Sequence, residues 1–146
     1  MKVSAALIFL CLLLYFSFAN AQGQWVWMQG STQANATSSY GSKNVPSALN
    51  SPGNKYASAT WQDKQGNFWI YSATYGDPRP ILCKFDSQNN TWEWVNGNIA
   101  IVNPLWGTLG VPSISNTPGY RQYGTATWTD TTGNLWLFGG WSKDIN

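Results

Sequence analysis

Side chains able to do acid–base or nucleophilic chemistry are few in this chain. It has six carboxylates, eight Lys or Arg, two cysteines and no histidine in 146 residues. Paired carboxylates can divide the roles of general acid and general base, so the aspartates come first. Asp63 and Asp130 lie 67 positions apart, and so do Asp77 and Asp144. An Asp that recurs at a fixed interval is better explained as a turn or loop cap, its carboxylate accepting from backbone N–H groups just ahead. Without histidine the commonest general base, the serine triad and most zinc or copper sites are excluded. No catalytic, cofactor-binding or metal-binding residue is assigned, and the chain as it stands is expected not to be an enzyme. Cys83, in the apolar run Ile81-Leu82-Cys83-Lys84-Phe85, is expected to be a buried, unpaired thiol.

Binding chemistry is better supplied. Tyr40, Tyr75, Arg79, Trp106 and Arg121 fall in or beside long polar stretches and are the candidate contact residues. Arg121 is also read as a structural hydrogen-bonder at the start of a strand. Trp106, among Leu105, Leu109 and Val111, suits loop packing as well as ligand contact. Asn35-Ala36-Thr37 and Asn89-Asn90-Thr91 are glycosylation sequons, making Asn35 and Asn89 candidate acceptors. The near-neutral charge, with no basic patch, argues against a nucleic-acid partner.

The elements that must position these residues begin after a targeting segment. Residues 1–21 read as a signal peptide: Lys2, an apolar run over residues 3–18, then Ala19-Asn20-Ala21 as a small-x-small cleavage site. The run is shorter than the roughly 20 residues a spanning helix needs, and no second apolar run follows. The remaining residues, 22–146, are expected to be secreted and free of the membrane.

An internal repeat organises those residues. Trp25 and Trp27 are followed 67 positions later by Trp92 and Trp94, Trp61 by Trp128, Trp69 by Trp136, and Gly66-Asn67 by Gly133-Asn134. Pro52-Gly53 and Pro118-Gly119 lie 66 apart, so one residue is inserted after the second pair. Residues 24–28, 56–62, 68–71, 81–85, 91–95, 123–129 and 135–138 read as strands. Residues 63–67 and 86–90 are turns, and 30–52, 72–80, 98–118 and 142–146 are loops. The order is one outer strand, a complete four-stranded meander, then half of the next. Four-stranded units at constant period predict β-propeller blades. Small residues in the first strand of each unit (Ala57-Ser58-Ala59, Gly124-Thr125-Ala126) suit crowding at the channel, and Trp in the others fills the gap between blades.

Gly133-Asn134-Leu135-Trp136-Leu137-Phe138-Gly139-Gly140, with Phe85-Asp86 and Trp92 in the complete copy, resembles the kelch motif. The resemblance implies an all-β fold of kelch-type blades of the galactose-oxidase-central-domain kind. It would comprise an outer strand at 22–29, a complete blade at 53–97 and a half blade at 119–146, leaving the ring incomplete. Ser72-Ala73 stands where the second copy has Gly139-Gly140, and the 67-residue period exceeds the usual kelch length.

Such a ring needs about four or more blades, so the chain is expected to be the N-terminal piece of a longer secreted protein. Alternatively it completes its ring with copies of itself, through open blade edges. The function expected is a non-catalytic extracellular module binding a protein or glycan. The alternatives are a fragment of a galactose oxidase-like enzyme, whose copper would need His on other blades, and a lectin-like module using Trp106 and Tyr40. The contact face is placed where the loops 30–52, 72–80 and 98–118 gather.

Overall fold

The computed structural model describes Gly23 and residues 25–74, 77–100 and 103–142. The expected signal peptide, Tyr75 and Asp144 lie outside the described residues. The described residues are all-β, without a helix. Strands β1 (Ala59–Gln62), β2 (Phe68–Thr74), β3 (Asp77–Asp86) and β4 (Thr91–Gly97) form one antiparallel meander in the order β1-β2-β3-β4. Strands β5 (Gln122–Thr129) and β6 (Leu135–Trp141) form a separate hairpin, and no ring closes.

The hairpins are fixed by their turns. Asp63 Oδ1 accepts from the N–H groups of Gln65 and Asn67 at 3.0 and 2.9 Å. Its Oδ2 accepts from Asn67 Nδ2 at 2.9 Å and Trp69 Nε1 at 2.8 Å. Asp130 holds the second turn in the same way. Its Oδ1 accepts from the Asn134 N–H at 2.9 Å, and its Oδ2 from Asn134 Nδ2 at 2.9 Å and Trp136 Nε1 at 2.8 Å. Bonds from Thr132, Trp136 and Asn134 hold the Asp130 carboxyl far below the usual carboxylate range.

Side chains alternate between faces along each strand. Ala59 and Trp61 of β1 share a face with Tyr71 and Trp69 of β2, their register partners. There they bury a cluster with Leu82, Leu135 and Leu137, which packs the meander on the β5–β6 hairpin. Hydrogen bonds lock that contact. Trp61 Nε1 donates to the Trp136 carbonyl at 2.7 Å, and the Tyr71 hydroxyl to the Gly119 carbonyl at 2.6 Å. In return the hydroxyls of Thr127 and Thr129 donate to the carbonyls of Thr60 and Gln62, each at 2.9 Å. The opposite face of the meander carries a second cluster of Tyr40, Ile81 and Cys83 with Ile70, Trp92 and Trp94. Cys83 is a free, buried thiol, and its desolvation pushes its pKa up to about 12.

Three expectations are corrected. The loop expected over residues 72–80 is largely strand: β2 runs to Thr74, β3 starts at Asp77, and Thr74 pairs with Asp77. Pro78 and Pro80 are tolerated because β3 meets β4 only from Ile81↔Gly97 onward. Residues 77–80 therefore have a partner strand on one side alone, where a missing N–H costs nothing. The outer strand expected at residues 24–28 is also not formed over residues 25–28. A strand needs an edge to pair with; by the repeat these residues match β4, whose partner is β3, and both edges of β3 are already taken by β2 and β4, while the outer edge of β4 is taken by the loop. Asn44 and Ser47 donate their N–H groups to the carbonyls of Trp94 and Trp92 at 2.8 and 3.0 Å, and Trp92 returns its N–H to Ser47 at 3.2 Å. Third, β1 starts at Ala59 rather than at residue 56, because Ala57 takes a φ of 51°, incompatible with an extended strand.

Gly97 closes β4 at a φ of 94°, and a Cβ there would run into the Pro80 carbonyl oxygen. Gly97→Ala is expected to lower stability by about 1–3 kcal/mol. Urea unfolding should show an earlier midpoint at an unchanged m-value, whereas an unmoved midpoint would show that β3 and β4 need no such close approach.

Candidate binding site

Two clusters of polar and aromatic side chains are brought together by the long loops. The first depends on how residues 30–53 fold. Ser39 and Ser51 form an antiparallel bridge, with N–H···O distances of 2.8 and 2.7 Å. Asn50 is buried, and its amide donates to the carbonyls of Val45 at 2.9 Å and Trp92 at 3.0 Å. The loop is thus a compact lobe fastened to β4, and it delivers Ser38 and Tyr40 to the start of β3.

Asp77 is the centre of that cluster. Its Oδ2 accepts from Lys55 Nζ at 2.6 Å, the Ser38 hydroxyl at 2.6 Å, the Tyr40 hydroxyl at 2.8 Å and Arg79 Nη2 at 2.9 Å. Its Oδ1 accepts from Arg79 Nε. Burial acts to raise the Asp77 carboxyl, but the bonds from Arg79, Lys55, Ser38 and Tyr40 outweigh it and hold the group far below the usual carboxylate range. Burial also raises the Tyr40 phenol well above its ordinary value, and Asp77 adds to the effect. Lys55 Nζ and Arg79 Cζ lie 5.7 and 4.9 Å from the Tyr40 ring centroid, within cation–π range. A cleft of about 480 Å³ opens beside the cluster, lined by residues such as Asn35, Asn54, Lys55 and Arg79.

The second cluster joins Trp106 and Arg121. The Arg121 guanidinium lies 5.0 Å from the Trp106 ring centroid, and Arg121 Nη1 donates to the Tyr120 carbonyl at 3.1 Å. Trp106 remains 64% exposed. A cleft of about 470 Å³ runs from this pair along Pro118, Leu137, Phe138 and Gly139. Leu105 and Thr117 bridge the base of the loop, and Asn116 donates to the Val111 carbonyl at 3.3 Å.

The candidate residues therefore fall in different settings. Trp106 and Arg121 meet at one open cleft. Tyr40 is buried, with its ring under two cations. Arg79 stands on β3 rather than on a loop, with Asp77 as its ion-pair partner. Asn35 is exposed, at a φ of 57°. Asn89 is exposed in the β3–β4 turn, its side-chain amide donating to Asp86 Oδ2 at 2.7 Å. Lys55 and Ser38 were not expected at the site. Their signal was the spacing of the two loops: Gly41, Val45, Asn50 and Pro52 are followed 66 positions later by Gly107, Val111, Asn116 and Pro118. In that register Lys55 corresponds to Arg121 and Tyr40 to Trp106.

Chemically, the Asp77 carboxylate is fully occupied by two cations and two hydroxyls, so it is poor at exchanging protons. The Trp106–Arg121 cleft offers a flat apolar ring and a guanidinium with donors to spare, which suits a ring or apolar group beside a carboxylate or hydroxyls. Among the described residues, no three His, Cys, Asp or Glu side chains gather as a metal site. No family model matches this chain, and no curated protein or solved structure matches it.

Proposed function

We propose that this chain is a secreted, non-catalytic interaction module built from kelch-type propeller blades, and that it takes its ligand at the Trp106–Arg121 cleft. The observation that carries the binding reading is this exposed aromatic–guanidinium pair, set in an open cleft at the end of the β5–β6 hairpin. The non-catalytic reading is supported by the state of the aspartates. Asp63 and Asp130 are consumed in holding turns, and Asp77 in an ion-pair network. The blade reading is supported by the meander, by the bonds to Asn and Trp that the two turn aspartates share and by the matched bridges in the two long loops. Ligands of two classes fit, an extracellular glycan and a protein segment, and the ring beside a guanidinium favours a glycan that carries a carboxylate.

A glycan array probed with the full chain tests this. Acidic glycans should bind, and Trp106→Ala or Arg121→Ala should weaken that binding at least about tenfold, the loss of one stacking or charge-assisted contact. The urea-unfolding midpoint should move little. A chain that binds no glycan on the array removes the glycan reading, and binding untouched by both substitutions removes the cleft.

A further inference from the structure

The contact between the meander and the hairpin joins equivalent positions of the two halves. Thr127 donates to Thr60 and Thr129 to Gln62, and each donor lies 67 positions beyond its acceptor. Trp61 donates across the same contact to Trp136, while its own counterpart, Trp128, points to the open face of the hairpin. Such an interface is heterologous: one face of a unit meets the other face of the next.

Among the described residues, the hairpin's open face and the meander's outward face at Thr60, Gln62 and Phe68 are both exposed. The open face of the hairpin carries Ala126, Trp128, Trp136 and Phe138, where the meander's covered face carries Ala59, Trp61, Trp69 and Tyr71. Trp128 is 48% and Phe138 72% exposed, and the Trp128 and Trp136 rings lie stacked at 5.8 Å. Strands β1 and β2 turn outward Thr60, Gln62 and Phe68, where the hairpin's covered face carries Thr127, Thr129 and Leu135; Phe68 is 49% exposed. A run of large exposed apolar side chains of this kind marks an association surface.

We infer that the hairpin's open face docks on the outward face of β1 and β2 in a second copy of this chain, head to tail, repeating the contact already made within one chain. In that contact Trp128 Nε1 donates to the second copy's Trp69 carbonyl, as Trp61 does to Trp136. The second copy's Thr60 hydroxyl donates to the Thr127 carbonyl, as Thr127 does to Thr60. Phe68 of the second copy fills the place that Leu135 takes within the chain. Trp106 and Arg121 lie on neither docking face, and Phe138 is the side chain that the cleft and the hairpin's open face share.

The test uses two variants that each block one face, Trp128→Asp and Phe68→Asp, in the full chain purified from a secretory host. Sedimentation velocity should show the wild type associating beyond a dimer as concentration rises. Each variant alone should be monomeric, and an equimolar mixture should form a 1:1 dimer and nothing larger, because one good face of each kind remains. A variant that loses the wild type's cooperative urea unfolding is replaced by Ala126→Lys or Thr60→Lys on the same face. A wild type that stays monomeric, or a mixture of folded variants that does not pair, overturns the inference. So does a wild type that stops at a symmetric dimer.

Discussion

Asp77→Ala is expected to destabilise the chain by about 3–5 kcal/mol, because it leaves buried cations without their counter-charge. The Lys55 side chain is only 4% exposed, and Asp77 is its ion-pair partner at 2.6 Å. Arg79 is about one-third exposed and regains water more easily, so most of the loss falls on Lys55. Asp77→Ala/Lys55→Met should therefore recover much of the stability, since removing both charges takes away the unpaired one. The pH dependence follows from the depressed folded-state pKa. The contribution of Asp77 is fully present above the unfolded carboxyl pKa of about 3.9 and is lost as pH falls through the folded value. Wild type should thus lose stability on acidification below about pH 4, and Asp77→Asn should lose less over the same range. Equal slopes for wild type and Asp77→Asn in a pH series of thermal melts would show that the network contributes nothing.

Local chemistry made the hairpins legible. Asp63-Lys64-Gln65-Gly66-Asn67 and Asp130-Thr131-Thr132-Gly133-Asn134 carry the turn geometry within five residues, and alternation fixed which side chains share a face. The extent of β2 and β3 was hidden because Pro78 and Pro80 signal a loop wherever a strand needs both its edges. They are harmless here because β4 stops at Gly97, a long-range fact that the residues around the prolines do not encode. Trp25 and Trp27 read as strand by alternation, but a strand exists only through a partner, and the β3 edge that their counterparts Trp92 and Trp94 use is filled by β4 itself. The Asp77 cluster was the least legible. Its members come from residues 38, 40, 55, 77 and 79 and meet only because a lobe of irregular backbone folds on the sheet. The pairing of Trp106 with Arg121 crosses fifteen positions of loop that the bridge Leu105↔Thr117 draws together.

Trp61 and Trp128 occupy corresponding places in β1 and β5, yet their substitutions are expected to differ by several kcal/mol. Trp61 is buried against Leu135 and Leu137, and its Nε1 donates to the Trp136 carbonyl. Trp61→Ala leaves a cavity between the sheets and an unpaired carbonyl, a loss of about 3–5 kcal/mol. Trp61→Phe keeps much of the ring but removes the bond, and should cost about 1–3 kcal/mol. Trp128 is half-exposed and contributes chiefly its stack on Trp136, so Trp128→Ala should cost about 1 kcal/mol or less in dilute solution. That gap is a property of the isolated chain. Where copies stack head to tail, Trp128 is covered as Trp61 already is, and the penalty at Trp128 should grow with protein concentration while that at Trp61 does not. Urea titrations at two concentrations separate the cases. Equal losses at positions 61 and 128 in dilute solution would mean that the two sheets do not pack as described, because only burial against a neighbouring sheet distinguishes these two tryptophans.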